Sequence, residues 1–203
     1  SPVIWVLISS RLFDAHAARA YGATFFSPDR SLQLQIFMIG FVDDSNACVN
    51  DFVNSNQPPE ILLQRATADA QLWNDLLCRS GGALEIPKCL YQLAYYGFTA
   101  AGAPVLKALP QQQANVRIQE LSYANSTPLK YISPYVARKT LGCYKSPSTN
   151  FKASLQHIAS IAKEKSEAVL NNFITAESAH RYYYSVYLPS VTYSFPTNTI
   201  PER

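Results

Sequence analysis

The amino-acid sequence predicts an α+β chain, and three observations carry that prediction. Leu32, Leu34, Ile36 and Met38 alternate with Gln33, Gln35, Phe37 and Ile39, the period-2 pattern of a strand. Ala47 to Val53 is a second strand-capable run, and Asp43, Asp44, Ser45 and Asn46 between the two are turn formers, so a β-hairpin is expected here. Stretches beginning near residues 2, 60 and 151 space their apolar side chains as helices do. At 203 residues and 48% hydrophobic content, the chain can build one cored domain, with room for a small appendage.

Taken in order, Ser1-Pro2 reads as an N-cap followed by proline at the first helical position. Val3, Val6, Leu7 and Phe13 continue that helix to about Ala20, and Gly22 ends it. Phe25 to Asp29 reads as a loop leading into the hairpin. Pro58-Pro59 introduces a helix from about Glu60 to Arg79, with Ile61, Leu62, Leu72, Trp73, Leu76 and Leu77 on its apolar face and Gly81-Gly82 as its stop. Ala83 to Pro87 reads as a short strand before Lys88, and Cys89 to Thr99 as a second strand-like run. Ala100 to Gln113, with Pro104 and Pro110, is expected to be a turn-rich connection. Asn115 to Leu121 alternates as a strand. Phe151 to about Phe173 is an amphipathic helix, and Thr175 with Ser178 caps a second helix running to about Tyr187.

Composition narrows the function. The net charge of +3 is mild, so the whole-chain balance does not announce nucleic-acid binding. Locally the picture differs: Leu121 to Lys163 holds no acidic residue and interleaves Lys130, Arg138, Lys139, Lys145 and Lys152 with tyrosines and Phe151. Basic residues among aromatics suit a phosphate backbone with stacking contacts, as well as an ordinary solvated surface. The four cysteines are widely spaced and form no Cys-x-x-Cys, which argues against zinc and for a reduced, intracellular protein. Ser1 to Ser9 is apolar but too short for a membrane span and lacks the basic segment of a signal peptide. The missing initiator methionine suggests a chain cut from something longer.

The chemistry concentrates at Phe41-Val42-Asp43-Asp44. Two like charges side by side at the end of an apolar hairpin are costly unless offset. A divalent cation offsets them, and hard cations take oxygen ligands. An Asp-Asp pair alone is ordinary turn chemistry. The stretch from Asp44 to Glu60 is not an EF-hand, having no central glycine and Ser55 where the closing Glu should stand.

An aspartate pair preceded by an aromatic and a small apolar residue, after a hydrophobic strand, resembles the catalytic hairpin of reverse transcriptases. The resemblance extends along nearly the whole chain. Ser1-Pro2 is similar to the end of the family's Gln-Gly-x-x-x-Ser-Pro motif. The helix, glycine turn, short strand and Lys88 resemble its fourth palm motif. Leu141-Gly142 resembles the turn of its primer grip. The helix pair closed by Pro189 to Tyr193 looks like the thumb of non-LTR retroelement enzymes.

This resemblance implies a partial palm over residues 1–148, an antiparallel sheet with helices on one face, and a helical thumb-like region over 149–203. It implies that Asp43 and Asp44 hold Mg²⁺ or Mn²⁺ and that Lys88 protonates the departing pyrophosphate. Leu141 and Gly142 would seat the primer, with Phe41, Lys139 and Lys145 beside the nucleic acid. The implied partners are an RNA template, a DNA primer, deoxynucleoside triphosphates and the rest of the parent chain, in the nucleus and away from membranes. In the family a further catalytic aspartate lies on a palm strand before the Gln-Gly motif. Without that strand the chain is expected to be inactive alone, and its unpaired edges and uncovered apolar face are expected to make it poorly soluble. A monomeric, cooperatively melting sample would contradict that expectation. Two other readings stand beside this one. One is a decayed retroelement piece serving only as a nucleic-acid-binding or inert module. The other is an unrelated α+β domain with a chance Asp-Asp turn.

Overall fold

The computed structural model describes residues 2–41, 44–50, 58–110, 115–120, 125–140, 143–172 and 174–193, with backbone alone at 2–6 and 41. The chain is α+β, made of helices and small antiparallel sheets. It opens with α1 (Pro2–Ala17), then β1 (Ala23–Phe26), β2 (Gln33–Ile36), β3 (Met38–Phe41) and β4 (Asp44–Ala47). α2 (Pro59–Arg79) and a 3₁₀ turn (Ile86–Lys88) precede β5 (Leu90–Gln92), β6 (Tyr95–Phe98) and β7 (Pro104–Lys107). β8 (Arg117–Gln119), β9 (Ser126–Pro128), β10 (Lys130–Ile132), β11 (Arg138–Thr140) and β12 (Cys143–Lys145) follow. The described chain closes with α3 (Lys152–Leu170), α4 (Ala176–Tyr182), a π-helical turn (Tyr183–Tyr187) and α5 (Leu188–Thr192). It divides into two units, one of residues 1–91 and 109–131 and one of residues 92–108 and 132–203.

In the first unit, Leu12 of α1 and Trp73 and Leu77 of α2 form the core, with Phe13, Met38, Leu76 and Leu84 packed against it. The buried stripe of α2 is Leu63, Asp69, Trp73, Asn74 and Leu77. That stripe is turned from the expected face, and Ile61, Leu62 and Leu72 are only half-buried. The turn brings two polar side chains inward, and both find partners. Asp69 accepts from the backbone N–H groups of Tyr21 and Gly22 at 2.9 and 3.2 Å. Asn74 donates to the Gln119 carbonyl at 3.2 Å. α2 stops as expected: Gly81 takes φ +85°, and the Gly82 and Gly81 N–H groups return to the Leu77 and Cys78 carbonyls in a Schellman arrangement.

Several strand expectations are corrected. Phe25 and Phe26 are not loop residues but the end of β1, which pairs antiparallel with β2 (Phe25 opposite Leu34). The loop is Ser27 to Leu32, where the Asp29 carboxylate accepts from the Ser27 hydroxyl and the Ser31 N–H. The single strand expected over residues 32–39 is two, broken at Phe37, because β2 pairs back to β1 while β3 pairs forward to β4. The apolar alternation there is not buried: Leu32 is 71% and Leu34 59% exposed. Asp44, Ser45 and Asn46 are strand, not turn. Before Lys88 there is a 3₁₀ turn rather than a strand, since Pro87 has no N–H to give a ladder.

In the second unit, Pro104–Lys107 was expected to be irregular and instead pairs with Tyr95–Phe98. The turn between them closes through the Thr99 N–H to the Ala103 carbonyl, with Gly102 at φ +79°. Thr175 caps α4 by accepting from the Ser178 N–H at 3.2 Å, as expected. The helical path runs past Tyr187 to Thr192, because Pro189 occupies the first turn of α5, where a missing N–H does no harm. No helix of the described residues is long and apolar enough to cross a membrane. Cys48, Cys78, Cys89 and Cys143 are not joined in disulfides.

Candidate metal and nucleic-acid sites

β3 and β4 form an antiparallel hairpin in the register Met38–Ala47, Ile39–Asn46, Gly40–Ser45 and Phe41–Asp44. Asp44 is therefore the first residue of the returning strand, directly opposite Phe41. Val42 and Asp43 connect the two in sequence and lie outside the described residues. The Asp44 side chain is exposed, and Ser45 and Asn46 are half-buried.

The hairpin is rooted at three points. Met38 packs against the core. Gly40 lies under Phe13: a Cβ at Gly40 would sit 2.4 Å from the tip of that ring. Phe13 in turn stacks on Trp73, with centroids 5.3 Å apart and planes 6° from parallel. Past β4, the Asn50 side-chain amide both accepts from the Thr24 N–H at 2.9 Å and donates to the Thr24 carbonyl at 2.8 Å. That clasp ties the returning strand to β1. One end of the hairpin is thus fixed by packing, and the other carries the exposed Asp44 side chain.

A hard divalent ion suits exposed aspartate oxygens, and magnesium takes few protein ligands when phosphates complete its shell. Among the described residues, no three acidic, histidine or cysteine side chains group as a metal cage. The described part of the hairpin therefore offers one side of such a site.

Lys88 ends the 3₁₀ turn, exposed, and its Nζ donates to Glu85 at 2.7 Å. Ser1 lies outside the described residues, and Pro2 begins α1. Leu141 and Gly142 also lie outside them, but they connect the antiparallel strands β11 and β12, in which Thr140 stands opposite Cys143. α3 braces that hairpin: the Ser154 hydroxyl donates to the Tyr144 carbonyl at 3.0 Å, and His157 sits edge-on to the Tyr144 ring at 5.0 Å. Strand alternation puts Lys139 and Lys145 on opposite faces, so they do not act as a pair. Arg138 is the residue directly opposite Lys145. Two cations facing each other across a ladder repel, and an anion such as a phosphate relieves them.

The basic, aromatic stretch is not one surface. Tyr131 packs on Tyr91 and its hydroxyl accepts from the Leu109 N–H, while Tyr144 is committed to His157. The sequence alone gives Gly40 and Asp69 no role, and marks Phe13 only as an apolar residue of the first helix. Asp69 left a legible signal, being an acidic residue four before Trp73 on the apolar stripe of α2, where only a satisfied carboxylate is tolerated. No family model, curated protein or solved structure matches the chain.

Proposed function

We propose that this chain forms the Asp-Asp hairpin, primer grip and thumb-like part of an RNA-directed DNA polymerase similar to those of non-LTR retroelements. One observation supports the reading most: an Asp-Asp sequence falls at the closed end of a core-rooted hairpin, with Asp44 opposite Phe41 and exposed. In this reading residues 1–148 are a partial palm and residues 149–203 a thumb-like helical region. Asp43 and Asp44 contribute to a site for Mg²⁺ or Mn²⁺, which would supply charge stabilisation for nucleotidyl transfer. Lys88 is the candidate proton donor, held exposed by Glu85. Leu141 and Gly142 seat the primer, and Arg138 with Lys145 attracts its phosphates more directly than Lys139 does. The partners are an RNA template, a DNA primer and deoxynucleoside triphosphates, and the compartment is the nucleus.

A second reading, a nucleic-acid-binding or inert retroelement remnant, is favoured by the sheet pattern. The described strands form six separate two-stranded sheets rather than one continuous palm sheet. Primer extension separates the two. With the upstream reading frame joined to this chain, an RNA template and Mg²⁺, extension is expected, and Asp43→Asn or Asp44→Asn is expected to abolish it. Extension that survives both substitutions unchanged removes the catalytic assignment. Absence of any extension, alongside salt-sensitive binding of nucleic acid, favours the remnant.

A further inference from the structure

The second unit carries a row of aromatic rings, two of them exposed, to which the polymerase reading assigns no role. It runs along α4 and the π-helical turn. His180 lies 4.8 Å from Tyr184, Tyr184 meets Tyr183 edge-on at 5.1 Å, and Tyr183 stacks on Tyr187 at 5.5 Å with planes 18° apart. These rings are not core. Tyr184 is 57% and Tyr183 45% exposed, and neither α4 nor the π-helical turn has a buried residue. Tyr187 is half-buried, while the exposed faces of Tyr183 and Tyr184 stand in the open, an arrangement that costs hydrophobic free energy unless something flat covers them. Single π-helical turns recur at functional sites, because the wider turn gives up regular hydrogen bonds to re-aim side chains.

Charge selects the occupant. The unit that holds this ridge has nine lysines and arginines against four acidic residues, whereas the other unit has eight against ten. A flat, stacking, polyanionic ligand is a nucleic acid with its bases free. We infer that the Tyr183–Tyr184–Tyr187 ridge, with His180 at its end, is a stacking surface for single-stranded nucleic acid. Duplexes hide their base faces, so the ridge favours a strand over a helix of equal charge. Rings stack on any base, so little sequence preference is expected. This goes beyond the polymerase reading and does not depend on it, because the ridge can bind a strand whether or not the hairpin holds metal.

The test uses the whole chain and a fluorescent oligothymidylate of about 20 nucleotides, a length that spans several stacked bases. Anisotropy titrations compare it with a duplex and with an abasic strand of the same length. The single strand is expected to bind tightest and to quench tyrosine emission. Tyr183→Leu and Tyr184→Leu are each expected to weaken binding roughly tenfold, whereas Tyr183→Phe and Tyr184→Phe keep it within about twofold, since the ring and not the hydroxyl does the stacking. Both sites are exposed, and the phenylalanine variants keep the ridge intact should leucine disturb the helix. Equal affinity for the abasic strand or the duplex, unquenched tyrosine emission, or leucine variants that bind as the parent does would each overturn the assignment. Primer extension reads the hairpin alone, so failure there leaves these titrations to decide the ridge.

Discussion

The two units of the chain hold themselves together by different means. The first has a core of buried apolar side chains, Leu12, Ala23, Leu63, Trp73, Leu77, Leu109, Val116 and Ile118, although its β1–β2 hairpin leaves Leu32 and Leu34 exposed. In the second, Pro134 and Cys143 are the buried apolar residues among those described, and α3 buries only Ser154. What it has instead is caps, ring contacts and short hairpins, each worth little. The contrast teaches where mutations should be felt. Stability concentrates around Trp73, while the unit with the exposed rings and excess positive charge is built of locally satisfied pieces.

The largest effect should follow from Trp73→Ala, which removes the centre of the core and the platform under Phe13. A loss of about 3–5 kcal/mol is expected in denaturant melts. Leu155→Ala on α3, already 41% exposed, is expected to change stability by no more than about 0.5 kcal/mol. Comparable losses from the two would erase the contrast. Gly40→Ala comes next. Its new methyl meets the Phe13 ring, and about 1–3 kcal/mol of overpacking is expected. Proton shifts of Ser45, opposite Gly40, should move with it, and a neutral Gly40→Ala would mean that the ring does not root the hairpin.

Within the second unit, Thr175→Ala removes the α4 cap and should cost about 1 kcal/mol, seen as faster amide exchange at Ser178 and Ala179. Exchange there as slow as in the parent would show that the cap contributes nothing. The smallest effect is a titration. Hydrogen bonds from Ser27 and then Ser31 lower the Asp29 carboxyl from 3.8 to about 2. A depressed carboxyl contributes order to its loop above about pH 4 and loses it as pH falls through about 2. Side-chain carboxyl shifts should show that midpoint, and Ser27→Ala should raise it toward 3.8.

Helices were the legible part of this sequence. Pro58-Pro59, the 3.6-residue spacing and Gly81-Gly82 bracket α2, and Thr175 with Ser178 opens α4, because caps and stops are local chemistry. Strands were less legible, because pairing is settled by partners far along the chain. Nothing in Phe25-Phe26 says that Gln33 and Leu34 will lie beside it, and Pro104 disguised a strand that sits at a hairpin edge. The alternation over residues 32–39 marks strand, but not that it is two strands with different partners nor that its apolar face stays exposed, since period says nothing about what covers a face. At the candidate sites, the Asp-Asp and Leu-Gly positions could be marked from order along the chain. Their supports could not, for Gly40 matters only because Phe13 arrives over it. Nor does the sequence show that Arg138, rather than Lys139, stands opposite Lys145, since that depends on the register.

Two of these narrow sheets share a device. Asn50 offers its terminal amide to both backbone groups of Thr24, and Gln71 does the same for Gln119, accepting from its N–H at 2.7 Å and donating to its carbonyl at 3.3 Å. Each amide imitates one peptide unit of a neighbouring strand. A foreign chain trying to zip onto either rim must first evict a side chain already seated there, so a helix and a loop residue guard against runaway cross-β growth at these two places. Exchanging Asn50 for an isosteric residue without the amide would bare both backbone groups of Thr24 as a template for fibrils, whereas losing Gln71 would bare only the Gln119 N–H, since Asn74 still holds the carbonyl.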